Sequence, residues 1–598
     1  MPPARQAWGE PRFLSERPAG AGLAPHPGGP GHMSGNGESP RGWLPIMAAM
    51  ALRDTPHPSD AAAADAPIDV ADDVGHYRVL LARDARFDGR LFVGVSSTGV
   101  YCRPICRVRT PKPQNCRFFT TAAQAEAAAY RPCLKCRPEL APGPGGAWTV
   151  MDASRTLARQ AAALLDGRTA DAGGDASVAT LATRLGVSER HLRRIFVAEH
   201  GVTPLQYLQT RRLLLAKQLL TDTRLPVTQV ALASGWRSLR RFNAAFTDRY
   251  RLSPSRLRAG RPAADGQADA EQVEVHLAYR EPYDRARLLA FFAQRAIPGI
   301  ETVDGLGVVR SLRAGALGGD PARPSPAGWV AARFDAGAPL MHLRIAPALV
   351  PLSGPLIAAA RRWFDLAAQP AVIDTALAAL PGEPGLRLPG SLDAFELAVR
   401  AVLGQQVTVA AARTLAARLV ARHGDALTTP WPEVTCSFPR PQALASLGID
   451  DIAGLGIIRS RAGAILALAA DWPAIEPLLS PALGPQALIE RLRGVPGIGP
   501  WTAHYIAMRA LGWPDAFPPG DVAVLKAMRG LPGMAPASLP PGAPAPGKAA
   551  TLNAARLAAE TCAQAWRPWR SYAVLRLWNS LGELSPTSTP PLATQDRP

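Results

Sequence analysis

Tyr101-Cys102-Arg103-Pro104-Ile105-Cys106, followed by Arg131-Pro132-Cys133-Leu134-Lys135-Cys136, decides how the front of this chain must fold. A C-x3-C pair and a C-x2-C pair separated by a short stretch deliver four thiolates to one tetrahedral ion. Each pair straddles a tight turn, and the loop between them closes the site. Zinc on Cys102, Cys106, Cys133 and Cys136 is therefore the leading reading, ahead of a disulfide pair or unrelated buried thiols. The N-terminus shows no charged region followed by an apolar one, and no apolar run is long enough to span a bilayer. The expected compartment is the cytosol, where disulfides are disfavoured. Cys116 fits the spacing of neither pair and reads as a small buried hydrophobe.

The surroundings of the cysteines are basic. His76 to Pro138 holds 12 Lys and Arg against 3 Asp and Glu, including Arg103, Arg107, Arg109, Lys112, Arg117, Arg131, Lys135 and Arg137. A thiolate site set among cations suits a phosphate backbone. The segment resembles the N-terminal domain of the Ada adaptive-response family in Phe92-Val-Gly-Val-Ser-Ser-Thr-Gly-Val-Tyr-Cys-Arg-Pro104, Asn115-Cys-Arg-Phe-Phe119 and Tyr130-Arg-Pro-Cys-Leu-Lys-Cys-Arg-Pro138. The resemblance implies that one zinc-bound thiolate takes the methyl group of a methyl phosphotriester in DNA, with Cys102 as acceptor. A thiolate is nucleophilic without a base to deprotonate it.

The net charge of +18 sits in the first half of the 598 residues, and a hydrophobic content of 47% is ample for several cores. Val178 to Arg261 carries 16 Lys and Arg against 4 Asp and Glu, so an anionic polymer is the natural partner. Two similar helical units lie there. Val178, Leu181, Ala182 and Leu185 keep helical spacing, Gly186 breaks the helix, and Leu192, Ile195 and Phe196 face inward on the next. About fifty residues on, Val227, Val230 and Ala231 precede a break at Gly235, with Leu239, Phe242 and Phe246 inward. Arg190, Arg193 and Arg194 in the first unit, and Arg237, Arg240, Arg241 and Asn243 in the second, are left to reach a groove. A helix over Leu205–Leu220 joins the units. The stretch resembles the tandem helix-turn-helix domain of AraC-type activators, ending in Gly235-Trp-Arg-Ser-Leu-Arg-Arg-Phe-Asn-Ala-Ala-Phe246, which implies sequence-specific DNA binding and RNA polymerase as a partner.

The second half is nearly balanced in charge and holds Leu492-Arg-Gly-Val-Pro-Gly-Ile-Gly-Pro-Trp-Thr-Ala-His-Tyr505, then Phe517-Pro-Pro-Gly-Asp521. The turn lets two helices meet with the amides around Gly497 and Gly499 pointing outward, as a phosphate requires, and its carbonyls can take a monovalent cation. With the Gly-Asp pair about twenty residues later, this is the signature of the helix-hairpin-helix glycosylases. Tyr279-Arg-Glu-Pro-Tyr-Asp-Arg-Ala-Arg-Leu-Leu-Ala-Phe-Phe292, Val402-Leu-Gly-Gln-Gln-Val-Thr-Val409 and Arg567-Pro-Trp-Arg-Ser-Tyr-Ala573 resemble the AlkA type, the 3-methyladenine DNA glycosylase II family, from about Val273 to Gly582.

A base alkylated on a ring nitrogen is already cationic and leaves readily, so one carboxylate must stabilise the sugar cation and bring in water; by motif position it is Asp521. Trp501 and Tyr505, four apart on a helix, are candidates to stack on a flipped base, with Phe291 and Trp578 matching further cleft positions of the family. Trp566 and Trp569 are candidates on the same footing as Phe291 and Trp578. Gln406 stands where the family carries a leucine wedge, and Val522 where it can carry an aromatic. Trp501 occupies the position of the Schiff-base lysine of lyase relatives, which implies hydrolysis without strand cleavage.

The expected fold is multidomain and mainly α. It runs as a disordered 1–73, a small α/β zinc methyl-acceptor domain over 74–140, a tandem helix-turn-helix over 150–261, an α/β N-terminal glycosylase subdomain over 272–378, an all-α helix-hairpin-helix glycosylase domain over 379–585 with an insertion at about 532–548, and a disordered tail over 586–598. Pro138–Gly146 and Arg261–Ala270 read as linkers. No Pro-Cys-His-Arg segment for O6-alkylguanine transfer is found. The whole reads as a methylphosphotriester-sensing activator fused to a monofunctional glycosylase for alkylated bases, working in bacterial cytoplasm at the nucleoid, on alkylated DNA and a specific promoter, with no membrane contact. The competing readings are a transcription factor with an inactive glycosylase-like half and a repair enzyme whose front half only targets it to DNA.

Overall fold

The computed structural model describes residues 72–143, 153–167, 177–259, 273–317, 325–480, 483–529, 531 and 548–582. The stretches read as disordered termini, the Arg261–Ala270 linker and nearly all of the insertion lie outside the described residues. At the front, Asp72 caps the Asp73–Ala82 helix by accepting from Gly75 N at 2.8 Å, so these two residues of the segment expected to be disordered are ordered.

The zinc-module sheet has the order β3-β1-β2-β4, from β1 (Phe92–Val95), β2 (Val100–Cys102), β3 (Cys116–Phe119) and β4 (Arg131–Pro132). Phe92, Tyr101, Phe119 and Tyr130 form one apolar cluster, and Leu80, Leu91, Val93 and Phe118 another. β2 and β4 run parallel with Val100 opposite Arg131 and Tyr101 opposite Pro132, so Cys102 and Cys133 leave the two strands side by side.

Pro138–Leu140 is a short 3-10 turn that packs instead of linking. Glu139 is buried there and receives Lys217 Nζ at 2.5 Å and Arg137 Nε at 3.0 Å. Glu126, fully enclosed, accepts from Tyr101 Oη and Thr210 Oγ1, each at 3.1 Å. Burial pushes it up to about 7 despite the nearby Arg249 guanidinium. Charged groups removed from water need such partners, which is why the module docks tightly on the helices that follow.

Both helix-turn-helix units form: Val178–Arg184 with Glu189–His200, and Val227–Ala233 with Leu239–Tyr250, joined by the Pro204–Asp222 helix. Ser188 and Ser238 cap the second helix of each unit by accepting from His191 N and Arg241 N. Phe242, Phe246 and Tyr250 make the buried stripe of the last helix. Leu239 is 41% exposed, contrary to expectation, because it is the first residue of that helix and projects beyond the core.

The α/β lobe has a five-stranded antiparallel sheet of order β5-β9-β8-β7-β6, from β5 (Val273–Ala278), β6 (Glu301–Val303), β7 (Gly307–Arg313), β8 (Ala327–Phe334) and β9 (Leu340–Ile345). β5 and β9 bury alternate residues, the mark of a sheet with one covered face. That core is shared: Leu213 and Leu219 of the joining helix and Phe242 and Phe246 of the second helix-turn-helix unit fall in one cluster with Val275, Leu277, Leu343 and Ile345. The first unit keeps a separate core of its own with Ala158, Ala161 and Leu165.

The helical lobe is one large cluster that also takes in Ile297, Ile300 and the Pro370–Ala376 helix. A buried ion network fixes it to the sheet: Glu301 and Glu396 each pair with both Arg310 and Arg400. Glu396 and Arg400 lie on the Ala394–Leu403 helix, so the network aims the loop that begins at Gly404. Among the described residues no helix is long and apolar enough to cross a membrane.

Candidate functional site

The sulfurs of Cys102, Cys106, Cys133 and Cys136 all lie within 4.8 Å of one another, and none is in a disulfide. Sulfurs so close compete for protons: Cys102 is pushed up by its thiol neighbours and by burial, whereas hydrogen bonds from those neighbours hold Cys133 down. A divalent cation resolves that competition, and the donor set fits zinc. The backbone N–H of Arg103 donates to Cys136 Sγ at 3.3 Å. Val108 and Cys136 offer backbone hydrogen bonds to Cys106 and Cys133. Among the described hydrogen bonds no backbone donor reaches Cys102.

The cations divide into two sets. Arg107, Arg109, Lys112, Arg117 and Lys135 are exposed. Arg103 is buried instead, its guanidinium closed on Asp88 and on Cys136 O. Arg137 is taken by Glu139 and Asp222. These two were expected among the phosphate-facing cations, but buried carboxylates claim them. Arg280 of the α/β lobe donates to Asp88 O and Gly143 O, which ties the module to that lobe. Cys116 is only half-buried, and its thiol donates to Lys112 O at 3.4 Å.

On the helix-turn-helix units Arg190, Arg193, Arg194, Arg237, Arg240, Arg241 and Asn243 are all exposed. Arg193 holds Glu189 at 2.8 Å and Arg194 meets His191 Nδ1 at 3.1 Å.

The carboxylate of Asp521 is the N-cap of the Val522–Met528 helix and is only 7% exposed. Oδ1 accepts from Val524 N at 2.8 Å and from Trp578 Nε1 at 3.1 Å; Oδ2 accepts from Trp501 Nε1 at 2.7 Å. A carboxylate that merely capped a surface helix would need neither indole. Trp501 is stacked on Tyr505, with centroids 5.1 Å apart and planes at 9°. Arg509 donates to Tyr505 Oη at 2.9 Å. Burial alone would raise that phenol; Arg509 and Arg295 outweigh it and hold it below its usual value. Phe291 belongs to a different layer, buried under the guanidiniums of Arg295 at 3.7 Å and Arg509 at 4.8 Å. Trp566 and Trp569 are core residues. Val522 points to solvent, 77% exposed, and shapes no pocket.

The hairpin lies between the Pro485–Arg493 and Pro500–Leu511 helices, anchored by buried Val495 and Ile498. Gly497 has φ +85°, and a Cβ there would come within 2.6 Å of Ala464 Cβ; Gly499 has open space. Gln405 reaches across from the loop after Leu403, donating to Gly497 O at 2.9 Å and Thr502 Oγ1 at 3.1 Å. Gln406 is exposed in the left-handed region at φ +56°, next to Val407, also exposed. Sequence reasoning did not single out Gln405 and Val407; an apolar residue next to the expected wedge position was the available signal. A cavity of about 500 Å³ lined by Pro298, Thr302, Arg413 and Glu433 includes neither Asp521 nor the stacked aromatics.

Four family models match in order: the metal binding domain of Ada at 76–139, a helix-turn-helix domain at 181–260, the AlkA N-terminal domain at 274–393, and the HhH-GPD superfamily base excision DNA repair protein at 399–540. A Mycobacterium tuberculosis protein named a probable bifunctional transcriptional activator/DNA repair enzyme AlkA is 37% identical over 521 residues, spanning 84% of this chain and 96% of the relative. DNA-3-methyladenine glycosylase 2 of Escherichia coli is 36% identical over 308 residues, 51% of this chain and 97% of the relative. Among solved structures, the 3-methyladenine DNA-glycosylase from Archaeoglobus fulgidus matches at 18% identity and TM-score 0.40, covering 52% of this chain and 99% of that one.

Proposed function

This chain belongs to the family of AlkA-type bifunctional transcriptional activator/DNA repair enzymes, with a zinc-binding sensor, a helix-turn-helix regulator and a DNA glycosylase in one polypeptide, and from that premise we propose how its residues divide the work. Asp521 is the catalytic carboxylate of the glycosylase half. The observation that carries this is its near-complete burial between two indole N–H donors, one of them from Trp501, which is stacked on Tyr505. The two donors and the helix cap hold the carboxylate in one orientation, so it needs no rearrangement as positive charge grows on the sugar. Rings 5.1 Å apart leave no slot between them, so a flipped cationic base stacks on the outer face of the pair. Trp578 positions Asp521, and Gln406 with Val407 fills the gap left in the duplex. The amides around Gly497 and Gly499 take a phosphate, with a monovalent cation on the hairpin carbonyls.

The products are a free base and an intact strand with an abasic site. With Trp501 at the hairpin exit there is no amine to form a Schiff base, so borohydride should trap no covalent DNA adduct while methylated DNA releases its base. Trapping at the rate of base release would overturn the hydrolytic reading.

In the front half Cys102 Sγ attacks the methyl carbon of a methyl phosphotriester; the S–C bond forms, the O–C bond breaks, and the phosphate leaves as a diester anion. Zinc held by Cys102, Cys106, Cys133 and Cys136 would keep the four thiolates deprotonated. Cys102 is the acceptor by its place in the family motif, and each of the other three sulfurs receives a backbone N–H hydrogen bond. The site loses one negative charge beside Arg107, Arg109, Lys112 and Lys135, which lowers its repulsion of the DNA backbone. Arg190, Arg193 and Arg194 in one groove, and Arg237, Arg240, Arg241 and Asn243 in the next, choose the promoter, with RNA polymerase recruited there, in the bacterial cytoplasm.

Methylation should tighten promoter binding by on the order of 1–3 kcal/mol, more at low salt. Affinity measured across a salt series before and after reaction with a methyl phosphotriester tests this. Equal affinities at low salt, or the same gain in Cys102→Ser, would remove the switch.

A further inference from the structure

Away from both sites, the outward face of β5 and β9 gathers three side chains whose donor atoms converge. The antiparallel register sets His276 opposite His342, and Glu274, two residues earlier on β5, shares that face through the alternation of the strand. The imidazoles lie 4.8 Å apart, nearly perpendicular at 84°. Glu274 Oε1 is 2.9 Å from His342 Nδ1 and 3.5 Å from His276 Nε2. The three donor atoms all fall within 4.8 Å of one another. Around a tetrahedral ion with bonds of roughly 2.0–2.1 Å, donors sit about 3.3 Å apart, so small side-chain rotations complete the set.

The far nitrogens supply an independent observation. His276 Nδ1 lies 3.2 Å from Asp222 Oδ1, and His342 Nε2 lies 2.9 Å from Asp335 Oδ2. A carboxylate on the far nitrogen fixes the tautomer and rotation of a metal-binding imidazole and raises its basicity. Here both imidazoles have one, and both turn their remaining nitrogen toward the same carboxylate oxygen.

We propose that Glu274, His276 and His342 form a second divalent-cation site, separate from the four cysteines, with Asp222 and Asp335 as outer carboxylates. Two imidazoles and one carboxylate select a zinc-class transition ion over Mg2+ and Ca2+, which take oxygen donors. The side chains of His276, His342 and Glu274 are 24%, 29% and 41% exposed, so the ion enters from solvent and water completes its shell. Asp222 ends the Pro204–Asp222 helix, accepts from His276 N at 3.1 Å and meets Arg137 at 2.6 Å. The site therefore fastens the regulator to the glycosylase sheet at the residue that follows Cys136. It does not depend on the glycosylase reading.

The test is zinc stoichiometry of the full chain by equilibrium dialysis and elemental analysis, paired with Co2+ substitution. Wild type should bind two equivalents, the cysteine site giving intense sulfur-to-metal absorption and the second only weak ligand-field bands. His276→Ala, His342→Ala and Glu274→Gln should each retain one equivalent with the sulfur absorption intact. Asp335→Asn keeps the Oδ1 that accepts from Gly337 N and Ala338 N, so it should fold normally. It should weaken only the second ion, by about 10–100-fold. One equivalent in wild type, or undiminished second-site affinity in Asp335→Asn, would overturn the site and leave a proton-sharing cluster of His and carboxylates.

Discussion

Asp521→Asn is expected to lower release of 3-methyladenine by roughly 10³-fold, about 4 kcal/mol of transition-state stabilisation, while DNA affinity stays within a few-fold. The substitution conserves volume, and its remaining carbonyl can still cap the helix at Val524 and accept from Trp578. It does more than remove charge, however. The new amide would face Trp501 Nε1, donor against donor, so the indole that now holds Oδ2 at 2.7 Å must turn away. Trp501→Phe separates the two effects, since it removes that donor and keeps the charge; it should cost less than the asparagine change. Base release under single-turnover conditions, with binding to an abasic-site duplex measured in parallel, reads both. If Asp521→Asn turns over at the wild-type rate, Asp521 is not the catalytic group.

Glu396→Ala is expected to destabilise the protein by about 3–5 kcal/mol, the cost of breaking a buried ion pair from one side. Arg310 and Arg400 would share Glu301 alone, Arg310 in a place closed to water and Arg400 only partly exposed. Burial opposes the charge on Glu396, but Arg310 and Arg400 prevail and hold its carboxyl below the usual range. A depressed folded value means that this stabilisation is present above the unfolded carboxylate range and is lost as pH falls through the folded value. The wild-type advantage over Glu396→Ala in thermal unfolding should therefore be large at neutral pH and shrink in acid. Because the network aims the Gly404–Thr408 loop, base excision should fall as well, even at temperatures where the variant stays folded. A difference between the proteins that does not change with pH would mean that packing, not charge, carries the effect.

The features written in local spacing were legible in the chain. Two cysteine pairs, two glycine-broken helical hairpins and Pro496-Gly497-Ile498-Gly499 encode geometry over a few residues, and the family models match segments around each of them. Partnerships set by tertiary packing were not. The resemblance put Trp578 in the cleft, but nothing in the sequence showed its hydrogen bond to Asp521, 57 residues away, or that of Gln405 to the hairpin carbonyl of Gly497. Arg103 and Arg137 counted as free cations because a charge total is blind to which carboxylates are buried beside them. Phe291 was placed in the cleft by its position in a motif, whereas two arginines occupy its ring. The stretch after Cys136 read as a linker because proline and glycine dominate it, yet buried Glu139 docks it on Lys217.

The apolar core common to the second helix-turn-helix unit and the five-stranded sheet has a consequence for the history and handling of this chain. Two proteins joined by a tether can be parted again by one cut in the gene. Here such a cut would part the Pro204–Asp222 helix from β5 and the Val227–Ala233 helix from the turn at Pro347–Leu352, and would bare an apolar face on each fragment. Each fragment would need a new polar surface before it could live alone, so the fusion works as a ratchet: easily kept, hard to reverse. Regulator and repair enzyme are thereby held at equal dose in every cell that carries the gene.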